Sequence, residues 1–134
     1  ILSPTHLYVS LVKALLEAKL DLHYMVNITG HGWRKLMRAT AAFSYVMKEV
    51  PPAPAEFGFM QEQAGSDDSE MYGNFNMGAG FAVYLPQAEA QQVVDIAAAN
   101  GLKAWIAGSV QTGPKQVVIE SKNITFDGET LELR

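Results

Sequence analysis

The stretch Asn27-Ile28-Thr29-Gly30-His31-Gly32-Trp33 holds the residues best suited to chemistry. It follows an alternating, strand-like run and precedes a helical one. A strand-to-helix turn exposes backbone N–H groups at a helix N-terminus, where unpaired donors and the helix dipole stabilise an anion. His31 can bond an anionic or neutral group and titrates near neutrality. The pattern lacks the later glycine of a dinucleotide fingerprint and the Lys-Ser/Thr of a P-loop. Two readings therefore stand: an anion site, or a tight connection whose glycines relieve φ strain.

A second glycine-rich passage, Phe75-Asn76-Met77-Gly78-Ala79-Gly80, feeds a strand. Small residues at a strand start let a ligand or another backbone come close, and Asn76 supplies both donor and acceptor. A bulge or close strand packing explains the passage equally well. Asp67, Asp68 and Glu70 lack the spacing of a calcium loop and read as the capped, solvated start of a helix. His6 and His23 have no partner at metal-ligand spacing, so no metal site is assigned. No nucleophile elbow or Ser/His/Asp arrangement appears, and no catalytic residue is assigned.

The elements that must position these groups follow from periodicity. Tyr8, Leu11, Val12, Leu15 and Leu16 predict a helix over Tyr8–Ala18, entered through Ser3-Pro4-Thr5. Leu22 to Ile28 alternates as a strand, and Trp33 to Thr40 is a short helix carrying Arg34, Lys35 and Arg38. Phe43 to Met47 is a strand. Pro51-Pro52-Ala53-Pro54 is a stiff loop before a helix that Gly65 stops. Phe81 to Leu85 is a strand, and Pro86 opens a helix that Asn100-Gly101 caps. Lys103 to Gln111 is expected to pair with Gln116 to Glu120 across the turn Thr112-Gly113-Pro114. Ile124-Thr125-Phe126 and Leu131-Glu132-Leu133 are expected to form a terminal hairpin around Asp127-Gly128. This order favours an α/β (α+β) sandwich, a mixed β-sheet with flanking helices, over a doubly wound parallel sheet.

At 134 residues a single domain spanning 1–134 is expected. A hydrophobic fraction of 49% suits a packed core. The charged fraction of 18% is low enough to suggest that another domain or subunit covers some surface. The net charge of −4 and the lack of any Lys/Arg cluster argue against nucleic acid as a partner. Having no cysteine, the chain contains no disulfide and no thiolate ligand. No apolar run reaches the roughly 20 residues that cross a bilayer, and no membrane partner is expected. Ile1-Leu2-Ser3-Pro4 is not a signal peptide and carries no initiator methionine, so a cytoplasmic piece of a longer chain is expected.

Taken together, the glycine passages carry a family resemblance. Pro4-Thr5-His6-Leu7-Tyr8-Val9, Asn27-Ile28-Thr29-Gly30-His31-Gly32, Glu70-Met71-Tyr72-Gly73-Asn74 with Phe75 to Gly80, and Asn100-Gly101 before Ala104-Trp105-Ile106-Ala107-Gly108 occur in family order. From Pro4 to about Glu120 the chain resembles the C-terminal domain of aminoimidazole ribonucleotide (AIR) synthase, the phosphoribosylformylglycinamidine cyclo-ligase family. The resemblance implies ATP-dependent ring closure of formylglycinamidine ribonucleotide in purine biosynthesis. It implies ATP and Mg2+ held mainly by an N-terminal domain not contained in this chain, and a homodimer in the full-length protein. Thr29, Gly30, His31 and Gly32 would then face phosphate, Asn27 and Asn76 would hold polar groups of the substrate, and Gly78 would permit close approach. The fragment alone would be inactive. The sequence departs from the family where Asn27 replaces the histidine before Ile-Thr-Gly, where His31-Gly32 replaces Gly-Gly, and where His6 replaces arginine. Those departures leave open a non-catalytic binding or regulatory module of the same fold, or a paralogue acting through another acyl- or carbamoyl-phosphate.

Overall fold

A computed structural model describes residues 5–131. The expectations for Ser3, Pro4, Glu132 and Leu133 lie outside the described residues. Among the described residues no helix is long and apolar enough to cross a membrane. The chain divides into two compact units.

The smaller unit joins the segment up to Met25 with Val83–Ile106. Helix α1 (Val9–Glu17) buries Leu11 and Leu15, one helical turn apart. Helix α4 (Ala90–Ala99) buries Val93 and Ala97 at the same spacing, and the two helices pack on each other. The expected Asn100-Gly101 cap forms. Gly101 takes φ +73°, its N–H donates to Ala98 O at 3.0 Å, and the Leu102 N–H donates to Ala97 O at 2.9 Å. These are the paired bonds of a Schellman ending.

The larger unit comprises Val26–Ala82 and Ala107 onward. Its four-stranded sheet has the order β4 (Gly108–Thr112), β2 (Phe43–Met47), β5 (Gln116–Ile119), β6 (Ile124–Asp127). The β2–β4 and β5–β6 pairs are antiparallel and β2–β5 is parallel, so the sheet is mixed, as expected. Strands β1 (Tyr24–Asn27) and β3 (Phe81–Tyr84) form a separate two-stranded sheet. Tyr45, Met47, Val117, Ile119, Ile124 and Phe126 are buried along the four-stranded sheet. Trp33, Leu36, Met37, Met71 and Tyr72 are buried in the segments that cover it.

Two expected pairings are corrected. Lys103 to Gln111 is not one strand, because regular pairing begins only at Gly108, and β4 does not pair with β5: β2 lies between them. The connection 113–115 crosses the end of β2, where the Ser44 hydroxyl donates to Pro114 O at 3.0 Å. Three extended residues are enough to span the two strand spacings, about 10 Å. The second correction concerns the last hairpin. Strand β6 pairs back on β5 through the 3₁₀ turn Glu120–Lys122, which Asn123 closes at φ +53°. Gly128–Leu131 is another 3₁₀ turn, and it takes in Leu131, the one described residue of the expected last strand.

Helix α2 (Ala55–Ala64) starts after Pro54 and ends at Gly65, which takes φ +64°. Helix α3 (Asp68–Asn74) starts with the expected capping residues. Asp67 Oδ1 accepts from the Glu70 N–H at 2.8 Å, and Glu70 Oε2 accepts from the Asp67 N–H at 3.3 Å.

Candidate functional site

The larger unit brings the two glycine passages together. At the end of β1 the Ile28 N–H donates to Gly80 O at 2.9 Å. The chain then turns through Thr29, Gly30 and His31 into a 3₁₀ helix, Gly32–Met37. The Trp33 indole Nε1 donates to Asn76 O at 2.9 Å, and its ring meets the Tyr72 ring edge-on at 5.4 Å. Trp33 is the bolt: its apolar body fills the core while its one donor ties the second passage to the first.

The expected site residues separate into two kinds. Gly32, Asn76 and Gly78 are engaged within the protein. Gly32 is buried at φ +50°, and a Cβ there would lie 2.2 Å from Tyr72 O. Asn76 Oδ1 accepts from the Gly78 N–H at 3.0 Å, and Asn76 O also accepts from the Ala79 N–H. Gly78 has φ +96°, and a Cβ there would meet Pro54 Cδ at 2.9 Å, so the close approach is made by the proline loop. Asn27, Thr29 and Gly30 are exposed and His31 is half-buried.

The turn is tight because the Gly32 N–H donates to Thr29 O at 2.6 Å, which occupies one of the amides expected to be open. The helix that follows is a six-residue 3₁₀ segment rather than an α-helix, because its glycine and tryptophan are fixed against α3. Charge at the loop comes instead from side chains. Lys35 Nζ donates to Thr29 Oγ1. Burial, and then the like charge of Arg38, hold the Lys35 pKa below the usual lysine value. The 3₁₀ turn thus folds Lys35 back onto exposed Thr29, with the charge of Arg38 acting on Lys35. Neither Lys35 nor Arg38 was singled out as a site residue from the sequence, where both were noted only as charges carried on the short helix. The one available signal was their position immediately after the turn.

Arg34, on the same segment, has another use. Its Nε donates to Gly73 O at 2.8 Å, one Nη donates to Asn74 Oδ1 at 3.1 Å, and its guanidinium lies 6.0 Å from the Phe126 ring centroid. Asp68 is held below the usual carboxylate range, first by the Gln61 hydrogen bond and then by that of Lys122. Among the described residues no three His, Asp or Glu side chains gather as a metal site. A cleft of about 410 Å³ lies between the Val50–Ala55 loop and Tyr72, Asp68 and Lys122. None of the expected site residues lines it, and the loop is an open shelf rather than a closed pocket.

Residues 1–121 match the family described as "AIR synthase related protein, C-terminal domain". The phosphoribosylformylglycinamidine cyclo-ligase of Methanococcus vannielii is 31% identical over 129 residues, covering 96% of this chain and 34% of that protein. The enzyme of the same name from Parasynechococcus marenigrum is 36% identical over 123 residues, covering 89% of this chain and 36% of its own. The chain thus spans about a third of the length of these relatives. The crystal structure of tt0281 from Thermus thermophilus shares the fold, with a TM-score of 0.58, at 23% identity, over 83% of this chain and 36% of that one.

Proposed function

The chain belongs to the AIR synthase related family as its C-terminal domain, and from that premise we propose that it forms the substrate-cleft wall of an ATP-dependent cyclo-ligase. The full-length protein would convert formylglycinamidine ribonucleotide to aminoimidazole ribonucleotide as a cytoplasmic homodimer, working against its own N-terminal domain. The observation that carries this reading is a turn with Asn27, Thr29 and Gly30 exposed and Lys35 bonded to Thr29. Such a shelf suits the phosphate of a ribonucleotide. Thr29 and the Gly30 backbone would contact the phosphate, Lys35 would neutralise it, and Asn27 and His31 would bond polar groups of the substrate. Gly32, packed on α3, and Asn76, whose carbonyl accepts from Trp33, would hold the shelf in place.

The γ-phosphoryl group of ATP would pass to the formyl oxygen with release of ADP, and attack of an internal nitrogen on the activated carbon would close the ring as phosphate departs. Neither step needs a nucleophile from the protein; positioning and charge stabilisation are enough. The described residues do not fit a magnesium site: Asp67 and Glu70 cap α3, and Asp68 bonds Gln61 and Lys122. Mg2+ and most of the ATP contacts are therefore assigned to the rest of the protein.

The test is to supply the full-length protein with ATP and formylglycinamidine ribonucleotide and follow ADP and the imidazole product by mass spectrometry. Lys35→Ala should raise KM for the ribonucleotide about 10- to 100-fold, the worth of one charged hydrogen bond, with a smaller effect on kcat. Ribonucleotide binding without turnover would favour a binding module of the same fold. An unchanged KM in Lys35→Ala, Asn27→Ala and His31→Ala would remove the shelf from the site.

A further inference from the structure

We propose that the outer face of α1 is the docking surface for the part of the longer protein N-terminal to it, an apolar contact made within one polypeptide by Leu7, Val9 and Leu16. The inference rests on the two-domain part of the reading above and not on the reaction. Among the described residues, Leu7 is 80% exposed, Val9 78% and Leu16 60%, while Phe43, Phe59, Ile106 and Val110 are exposed on four different segments. Single exposed apolar residues are ordinary. A cluster on one helix and its entry marks an interaction site.

The helix has two apolar faces. Successive residues of an α-helix lie about 100° apart. Leu11 and Leu15 are buried and define one face, and α1 packs on α4. Val9, half-buried Val12 and Leu16 follow at i, i+3 and i+7 and define a second face, centred about 110° round the helix. The apolar arc thus runs through about 160°, and the part that Val9 and Leu16 add is left uncovered by the described residues. Lys13 and Glu17, paired with each other at 3.8 Å, occupy the polar side. No charged residue occurs from Leu7 to Val12.

The length of the relatives identifies the occupant. The matched family is a C-terminal domain, and this chain spans only about a third of the curated relatives. In a protein of that build the larger part lies N-terminal to α1, the first element among the described residues. A domain joined by a short link meets α1 at an effective concentration of about millimolar order, which a second copy does not. The surface that α1 offers is apolar, since its nearest charges already neutralise each other. The partner face is therefore apolar, and the contact is insensitive to salt.

Substitutions in the full-length protein test it, with maleimide labelling of each new cysteine read by peptide mass spectrometry. Relative to the protein unfolded in guanidinium, Val9→Cys and Leu16→Cys should react about tenfold or more slowly, and Lys13→Cys, on the polar side, should be protected less. Adding Leu16→Lys to Val9→Cys buries an unpaired charge in the contact and should speed the labelling of position 9 about tenfold. Leu16→p-benzoylphenylalanine, irradiated, should form a link within one chain to a peptide N-terminal to this domain. Equal protection at positions 9, 13 and 16 overturns the assignment of the face. The absence of that link, or a link only to a second copy, to another protein or to peptides of this domain, overturns the occupant. None of these readouts needs turnover: a protein that shows the link and does not close the ring loses the proposed reaction and keeps the contact.

Discussion

Replacing Gly32 with alanine separates the structural glycine of the loop from the exposed one. The added Cβ would sit 2.2 Å from Tyr72 O and 2.8 Å from Asn74 N and Gly73 C, all of them backbone atoms. None can swing aside as a side-chain tip can, so either the loop or the end of α3 must move by about 1 Å, a strain of the overpacking kind. The φ of +50° adds about 1–2 kcal/mol for a residue with a Cβ, and overpacking adds about 1–3 kcal/mol. The expected loss of about 2–5 kcal/mol is a large share of a typical domain stability of about 5–15 kcal/mol. Gly30→Ala is the internal control: nothing lies within 4 Å of its added Cβ, and the change should stay within about 0.5 kcal/mol. Native-state hydrogen exchange reads both locally. The Met71 and Phe75 amides, bonded to Asp67 O and Met71 O, should open more easily in Gly32→Ala and unchanged in Gly30→Ala. Equal effects of the two substitutions, or none from Gly32→Ala, would refute the close approach of the loop to α3.

The capping box predicts that Asp67→Ala costs about 1 kcal/mol and Asp67→Asn much less, measured by urea unfolding. Ser44, 6% exposed, donates to Pro114 O and accepts from Gln116 Nε2 at 3.2 Å; Ser44→Ala should cost about 1–2 kcal/mol in the same measurement, because the Pro114 carbonyl loses its donor. The Asp68–Lys122 pair sets a pH window. The Asp68 pKa is lowered, so its contribution is present above the unfolded carboxylate value of about 3.9 and is lost as pH falls through the folded value. The Lys122 pKa is raised, chiefly by its hydrogen bond to Asp68, so its contribution is present below about 10.4 and is lost as pH rises through the folded value. Thermal melts of Lys122→Met against the parent should therefore differ by a constant amount across neutral pH and converge at both extremes.

The helices and most strands were legible because their signals are local. Leu11 and Leu15 repeat at helical spacing, Asp67 and Glu70 stand three apart, and Gly65 and Gly101 fall where left-handed caps were expected. The family, too, was carried by short runs of residues. Strand partnership was not legible. The turn at Gly113-Pro114 looks like a hairpin in sequence, yet β2, some 70 residues earlier, lies between the strands it joins. No local pattern records that β2 occupies that place, since the bonds that hold it there are made by backbone groups common to every residue.

The candidate site divides in the same way. Sequence alone picked out both glycine passages, because Gly, Asn and His at a strand end are unusual enough to mark. It could not assign their uses. Burial against α3 makes Gly32 a packing position, an Asx bond engages the Asn76 oxygen, and Pro54 fills the space beside Gly78. Lys35 shows the converse: an ordinary surface cation in sequence, it bonds Thr29 because the 3₁₀ turn folds it back over the loop. Residue type and spacing determined which groups this chain possesses and which family it resembles. The tertiary structure decided which of those groups remain open to solvent, because exposure depends on packing partners distant in the chain.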